Sequence, residues 1–231
     1  MSFRFKQFSV EDNRCAMKVG TDAVLLGAWV AVNHSLRILD IGTGCGVIAL
    51  QIAQRTESNV HIDAVEIEMI DAGQAQENIV QSPWPQKIFV YSKPIQFFVP
   101  DYSYDLIVTN PPYFVNSLQP PTPSRAQARH TSTLSFPDLI QNSARLLKPD
   151  GRLALILPTA EGNVFKELAH QQSLYLIRET AVYTTPHKPQ ERWLLEFSRS
   201  NKKIASDKII LFDSSGKKTP AYENLTVGFY L

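Results

Sequence analysis

The runs LRILDIG, HIDAVEI, KIFVYS, YDLIVTN, GRLALILP and SLYLIRETAVY are apolar almost without interruption, and amphipathic stretches separate most of them. A strand with one wet face alternates apolar with polar residues, whereas a run apolar at nearly every position is covered on both faces, as parallel strands of an α/β sheet are. The segments 47–55, 69–80 and 138–147 carry the helical period. The resulting β-α-β-α rhythm is solved most economically by an open, mostly parallel sheet with helices on both faces and right-handed crossovers. Near the end the rhythm changes: RWLLEFSR is followed by DKIILFD and a Ser214-Ser215-Gly216 turn with no crossover helix between, so antiparallel pairing is expected there. The polar residues after it read as a tail. The sequence has no internal repeat, and QPPTPSR (119–125) reads as a mobile loop.

At 231 residues, 44% of them hydrophobic, the chain can bury one good core, and a single domain over 1–231 is expected. Its 23 basic residues nearly balance 22 acidic ones, so a polyanionic partner would be held by a local patch, not by the overall field. The opening MSFRFKQFSVEDNR lacks the apolar core of a signal peptide, and no stretch approaches the roughly 18 apolar residues of a membrane span, so a cytoplasmic protein is expected. Cys15 and Cys45 are too few for a disulfide framework or a four-ligand zinc site and read as inert; the five histidines lack metal-ligand spacing, and no metal is expected.

The first chemical signal is LDIGTGCGVIALQIA, where a strand ends at Asp40, glycines stand at 42, 44 and 46, and an apolar helix follows. A bare strand-to-helix turn needs one glycine; three invite a ligand against the backbone, beside a helix N-terminus whose first N–H groups lack partners. Dinucleotide sites use G-x-G-x-x-G, but this loop is G-x-G-x-G with a carboxylate, Asp40, two residues before it. That carboxylate would repel a diphosphate and attract a cation, which suits S-adenosylmethionine with its sulfonium and α-amine. Glu66, at the end of the next strand, fits the acidic residue that accepts from ribose hydroxyls; an exposed Glu favoured by a helix dipole is the alternative, and Glu68 competes for that description.

The second signal is DLIVTNPPYF (105–114). After an apolar strand, Asn110 presents an amide carbonyl at the carboxyl edge of the sheet, while Pro111 and Pro112 fix φ and remove two N–H donors. Carbonyls left facing the crevice without neighbouring donors suit a planar –NH2, as on adenine, cytosine or a glutamine side chain, each hydrogen taken by one oxygen. Such a grip favours pyramidalisation and strengthens as the nitrogen attacks. Tyr113, with Phe114, offers a face on which an extruded base can stack, recovering roughly 1–3 kcal/mol against the few that extrusion costs. A rigid turn carrying two core aromatics is the alternative, and it leaves Asn110 unexplained.

With Asp40, the glycine loop and Asn110-Pro111-Pro112-Tyr113 in place, the chain resembles the class I S-adenosylmethionine-dependent methyltransferases that modify amino groups. The opening FRFKQFSVEDNRCAMKVGTDAVLLGAW and the ending ENLTVGFYL narrow this: the chain resembles, over essentially its whole length, the bacterial methyltransferases that modify adenine 37, next to the anticodon, in a valine tRNA. The resemblance implies a Rossmann-like, seven-stranded, mostly parallel sheet whose last strand is antiparallel. It implies S-adenosylmethionine as cofactor and residues 1–35 as an N-terminal extension closing over it. It further implies Lys18, Val19, Gly20, Thr21 and Asp22 at the methionine end, Asp40, Gly42, Gly44 and Gly46 around the loop, Glu66 on the ribose, and Asn110 shared between cofactor and catalysis. Members of this group commonly carry an acidic residue for the cofactor's adenine after the third strand; here YSKPIQFF has none, with Lys93 and Pro94 near that place. For Thr21 and Asp22 a helix N-cap is the competing reading.

The implied partner is the tRNA anticodon loop, with no membrane and no obligate protein partner. Arg125 and Arg129 after the NPPYF segment, with His130, are candidate RNA contacts, as are Lys188, Arg192, Lys202, Lys203, Lys217 and Lys218. Glutamine methylation of release factors is a rival, since that amide also offers –NH2, but such enzymes place a helical domain before the cofactor loop. DNA adenine methylation lacks a region large enough to read a duplex. A non-catalytic RNA-binding module and a nicotinamide oxidoreductase are disfavoured by the intact Asn110 and by the glycine spacing.

Overall fold

The computed structural model describes residues 2–112 and 134–230. A small antiparallel ladder pairs β1 (Ser2–Arg4) with β2 (Ser9–Glu11). The main sheet contains β3 (Arg37–Ile41), β4 (His61–Glu66), β5 (Ile88–Ser92), β6 (Tyr104–Thr109), β7 (Leu147–Pro158), β8 (Tyr175–Tyr183), β9 (Arg192–Ser198) and β10 (Ala205–Ile210), in the spatial order β10-β8-β9-β7-β6-β3-β4-β5. The helices are α1 (Thr21–Trp29), α2 (Val47–Arg55), α3 (Met69–Val80), α4 (Phe136–Leu146), α5 (Thr159–Gln171) and α6 (Pro220–Thr226). The sequence runs read as strands become β3 to β8.

Their continuous apolarity has the expected cause. In β3, Ile38 packs into a core with Leu25 of α1 and Leu50 of α2, while its neighbours Leu39 and Ile41 pack on the opposite face with Leu139 and Ile140 of α4 and Phe165 of α5. Leu106 and Val108 of β6 join the first core and Ile107 the second. Alternate side chains of one strand thus leave water on opposite faces, at about 1.5–3 kcal/mol for each fully buried large residue.

Four expectations need correction. The sheet has eight strands where seven were implied. RWLLEFSR and DKIILFD run in opposite directions but do not pair: β9 inserts antiparallel between β7 and β8, and β10 lies parallel along the outer edge of β8. The physical reason is that both edges of β9 are already taken, which leaves the β8 edge as the pairing surface for the returning chain. Finally, the C-terminal residues read as a polar tail form α6, started by Thr219, whose side chain accepts from the Tyr222 N–H, with Pro220 in the first turn. Likewise α4 begins two residues before the expected 138, because Ser135 caps it and accepts from the Asp138 N–H at 3.2 Å.

Candidate functional site

Register builds the site. Ile41, the last residue of β3, pairs with Thr109 of β6 on one side and Val65 of β4 on the other. One residue further on, Gly42, Asn110 and Glu66 therefore emerge side by side, about 4.8 Å apart from strand to strand. The Thr109 hydroxyl, donating to the Ile41 carbonyl at 2.8 Å, locks the two strand tips together. Here the strand order also reverses, since β3-β4-β5 proceed one way and β6-β7 the other. Open α/β sheets bind ligands in the crevice at that switch point.

The crevice is a cavity of about 580 Å³, lined by Gly42, Gly44, Glu66 and Asn110 together with Lys18, Gly20, Thr21, Asp22, Pro111 and Pro112. That volume lies within the range of small-ligand pockets. Gly42, Gly44 and Gly46 all have left-handed φ, at 70°, 56° and 85°. A Cβ at Gly42 or Gly44 would meet nothing within 4 Å, so the loop is an open cradle, whereas Gly46 packs on Ala75 and starts α2. The loop is held from below: Gly42 N–H donates to the Val65 carbonyl at 2.8 Å and Gly44 N–H to Glu66 Oε2 at 2.9 Å.

Carboxylates dominate the electrostatics. Asp40 is fully buried beneath the loop; its Oδ2 accepts from the Thr43 hydroxyl at 2.6 Å, while Oδ1 makes no hydrogen bond of normal geometry with the described residues. Burial pushes Asp40 up to about 7, with the Thr43 hydroxyl opposing and the Glu66 charge adding to the rise. Burial also raises Glu66, against the Glu68 and Gly44 amides that its carboxylate accepts, and Asp71 pushes the same way. A cavity whose carboxylates resist ionisation together is relieved by a bound cation. Glu68 and Asp71 line the same wall.

The N-terminal segment closes one side. Lys18 Nζ donates to the carbonyls of Asp12, Asn13 and Cys15 at 2.6, 3.1 and 3.1 Å, so this lysine braces residues 12–18 while lining the cavity. Val19 donates its N–H to Asp12 Oδ2 at 3.0 Å and packs its side chain into the core. Val19 and Gly46, like Asp40, support the lining and do not form it. Thr21 and Asp22 do not cap α1: Gly20 is the N-cap and no side chain bonds there, so Asp22 sits in the first turn and its Oδ2 pairs with Arg192 Nε at 2.9 Å.

Past β5, Lys93, Pro94, Ile95 and Gln96 form the far wall, with Gln96 a polar side chain where an acidic residue was sought. Sequence reading missed Gln96, and the pair Asp22–Arg192 is invisible before folding because 170 residues separate its members. Tyr113, Phe114, Arg125, Arg129, His130 and the 119–125 loop lie outside the described residues. Cys15 and Cys45 are both buried and unbridged. Among the described residues no His, Cys, Asp and Glu cluster could hold a metal ion, and no helix is long and apolar enough to cross a membrane.

The fold is that of the class I methyltransferases, whose methyl donor is S-adenosylmethionine. The structure is similar to a predicted O-methyltransferase from Agrobacterium tumefaciens, at TM-score 0.73 and 20% identity over 90% of this chain and 96% of that one. It is also similar to the ribosomal protein L11 methylase from Lactobacillus delbrueckii subsp. bulgaricus, at TM-score 0.56 and 19% identity over 78% and 77%. Residues 15–170 match the family model "Methyltransferase small domain". Proteins named tRNA1(Val) (adenine(37)-N6)-methyltransferase from Citrobacter koseri and Shigella dysenteriae are 43% and 45% identical to it, across 99% of this chain and 94% of theirs. The chain belongs to the tRNA1(Val) (adenine(37)-N6)-methyltransferase family.

The donor set fits that cofactor. The open glycine cradle, the buried Asp40 carboxyl beneath it and the acidic wall suit a cationic ligand with an amine.

Proposed function

We propose that this chain transfers a methyl group from S-adenosylmethionine to the exocyclic amine of adenine 37 in the anticodon loop of a valine tRNA, the reaction that names its relatives, and that it does so in the cytoplasm as a single domain without an obligate protein partner. The observation that carries this reading is the placement of Asn110 one residue beyond Thr109, beside Gly42 and in the same cavity.

Bound there, S-adenosylmethionine supplies an electrophilic methyl on a positively charged sulfur. Gly42 and Gly44 form its cradle, with Asp40 and Gly46 supporting it from beneath, Glu66 takes the ribose, and Gln96 with the backbone at Lys93 and Pro94 meets the adenine. Residues 1–35, through Lys18, Val19, Gly20, Thr21 and Asp22, close over the methionine end. Asn110 Oδ1 and the neighbouring carbonyl at Pro111 each accept one hydrogen of the target amine, which turns the nitrogen lone pair out of conjugation. No strong base is needed to begin, because the surplus proton leaves the nitrogen for water only after the new N–C bond has formed, and orientation of this kind supplies about 7–11 kcal/mol in well-aligned intramolecular reactions. Tyr113 and Phe114 would give the extruded base a stacking surface, and Arg125 and Arg129 would contact phosphates of the RNA backbone.

The test compares wild type with Asn110→Ala on unmodified tRNA. Wild type is expected to yield N6-methyladenosine, and the variant to lose at least about a hundredfold in kcat, by analogy with the loss of one transition-state hydrogen bond elsewhere. Cofactor Kd should stay within about twofold. Equal loss of turnover and of cofactor affinity would mean that Asn110 builds the cradle and does not hold the amine.

A further inference from the structure

The parallel strands share one carboxyl end, so every loop leaving it faces the same way as the cavity. Pro158 pairs with Arg192 and Val182 also pairs with Arg192, while Ile210 pairs with Tyr183. The loops 184–191 and 211–219 therefore leave the sheet at the cavity end. They carry Lys188, Lys217 and Lys218, all exposed; the first loop leads into Arg192 at the cavity wall, and the second into α6. Lys202 and Lys203, by contrast, sit between β9 and β10 at the opposite end of the sheet.

Contacts hold the two loops together as one ledge. Phe212 N–H donates to the Thr184 carbonyl at 2.9 Å, the Ser214 hydroxyl lies 3.4 Å from His187 Nε2, and Thr159 at the start of α5 donates to the carbonyls of Gln190 and Glu191 at 3.0 and 3.2 Å. Lys218 is further oriented by the Tyr230 ring, its Nζ 4.4 Å from the centroid. Two acidic groups share the ledge. Glu191 stands 3.9 Å from Lys188, and Asp213 Oδ1 accepts from the Ser215 and Lys217 N–H groups at 2.8 and 3.0 Å.

Across the cavity, on the β4 and α3 side, stand Glu66, Glu68 and Asp71, against two lysines of the lining, Lys93 beyond β5 and Lys18, whose Nζ is engaged by the carbonyls of Asp12, Asn13 and Cys15. A polyanion whose base enters at Asn110 is repelled from the acidic side and attracted to the ledge. We propose that the ledge of Lys188, Lys217 and Lys218 holds the phosphates of the substrate RNA flanking the target adenine, so that the RNA lies over β9, β8 and β10 and not over α3. This rests on the functional reading above and adds the direction from which the RNA arrives.

The test measures kcat and KM for unmodified tRNA over a salt series, together with cofactor Kd, for Lys188→Gln/Lys217→Gln/Lys218→Gln and for Lys202→Gln/Lys203→Gln. The ledge triple is expected to raise the tRNA KM about tenfold or more, with kcat at saturating tRNA and cofactor Kd unchanged. Its plot of log kcat/KM against log salt should be shallower by roughly 2, at about 0.7 for each lost phosphate contact. The opposite-end pair should match wild type. Because Lys218 also packs on tyrosines, Lys188→Gln/Lys217→Gln is run beside the triple and should show about two-thirds of the change in slope. A ledge variant with wild-type KM and slope, or an opposite-end pair that weakens RNA equally, overturns the proposal while leaving tRNA methylation intact; a wild type that methylates no tRNA overturns the functional reading and the ledge with it.

Discussion

At Asn110 the backbone contributes as much as the side chain. Pro111 and Pro112 remove the donors that would otherwise compete for nearby carbonyls, and Thr109 fixes the strand tip by its bond to Ile41. Asp40 plays a different part, since its raised pKa links stability, and on the proposed reading cofactor affinity, to pH. Its ordinary unfolded value is about 3.9. Folded, it stands at about 7, so between those values the native state holds a proton that the unfolded chain has released. Stability from this group is present at low pH and falls as pH rises through about 7. Binding of a cation shows the opposite trend, tightening as Asp40 ionises. Titration of cofactor Kd from pH 6 to pH 8 should show affinity rising in wild type, while Asp40→Asn should flatten that trend and bind more weakly at pH 8. Equal pH dependence in both would remove Asp40 from the cation's surroundings. In the sequence, although Asp40 proved to lie buried beneath the loop, the placement of Gly42, Gly44, Glu66 and Asn110 at one cavity was readable because backbone chemistry and the strand-end rule set it. Gln96 was not, since a single amide after a proline carries no pattern, and Thr21 and Asp22 failed as caps because Gly20 already starts the helix.

Among the elements, β9 is the one whose place the sequence conceals. Its residues read as an ordinary apolar strand, and nothing local says that it will insert between β7 and β8. Glu196 records the insertion: its side chain is 3% exposed and faces Arg152 of β7 and Arg178 of β8. Arg178 also lies 3.6 Å over the Trp29 ring and donates to the Trp29 carbonyl, which ties this part of the sheet to the end of α1. Breaking a buried pair costs about 3–5 kcal/mol because the remaining charges stay uncompensated. Both guanidiniums keep some water here, so Glu196→Leu is expected to cost about 3 kcal/mol, the low end of that range, read as a lower urea midpoint with an unchanged slope. A loss under about 1 kcal/mol would mean that these charges are solvated in the folded chain. The strands and helices that were legible owe it to strong periodicity; the edge position of β10 and the existence of α6 depend on long-range pairing and on one capping threonine.

Taken together, the sheet end carries Glu66, Glu68 and Asp71 on the β4 and α3 side, amide and carbonyl at Asn110 in the centre, and Lys188, Lys217 and Lys218 toward β10. On the proposed reading, cofactor affinity and RNA affinity can each be measured without the other. Ligand present at 100 times its Kd adds about 2.7 kcal/mol of stability by mass action. S-adenosylmethionine at that excess should therefore raise Tm by roughly 5–11 °C for a chain of this size, and Asn110→Ala should show the same rise. No rise in wild type would mean that the acidic cavity is not the cofactor site. The most direct measurement supplies methyl-labelled S-adenosylmethionine with separate samples of unmodified tRNA, ribosomal RNA, duplex DNA and a glutamine-bearing release factor, then digests the labelled product. The geometry at Asn110, together with the family, predicts label in tRNA alone, recovered as N6-methyladenosine; label in the release factor, with none in tRNA, would contradict it.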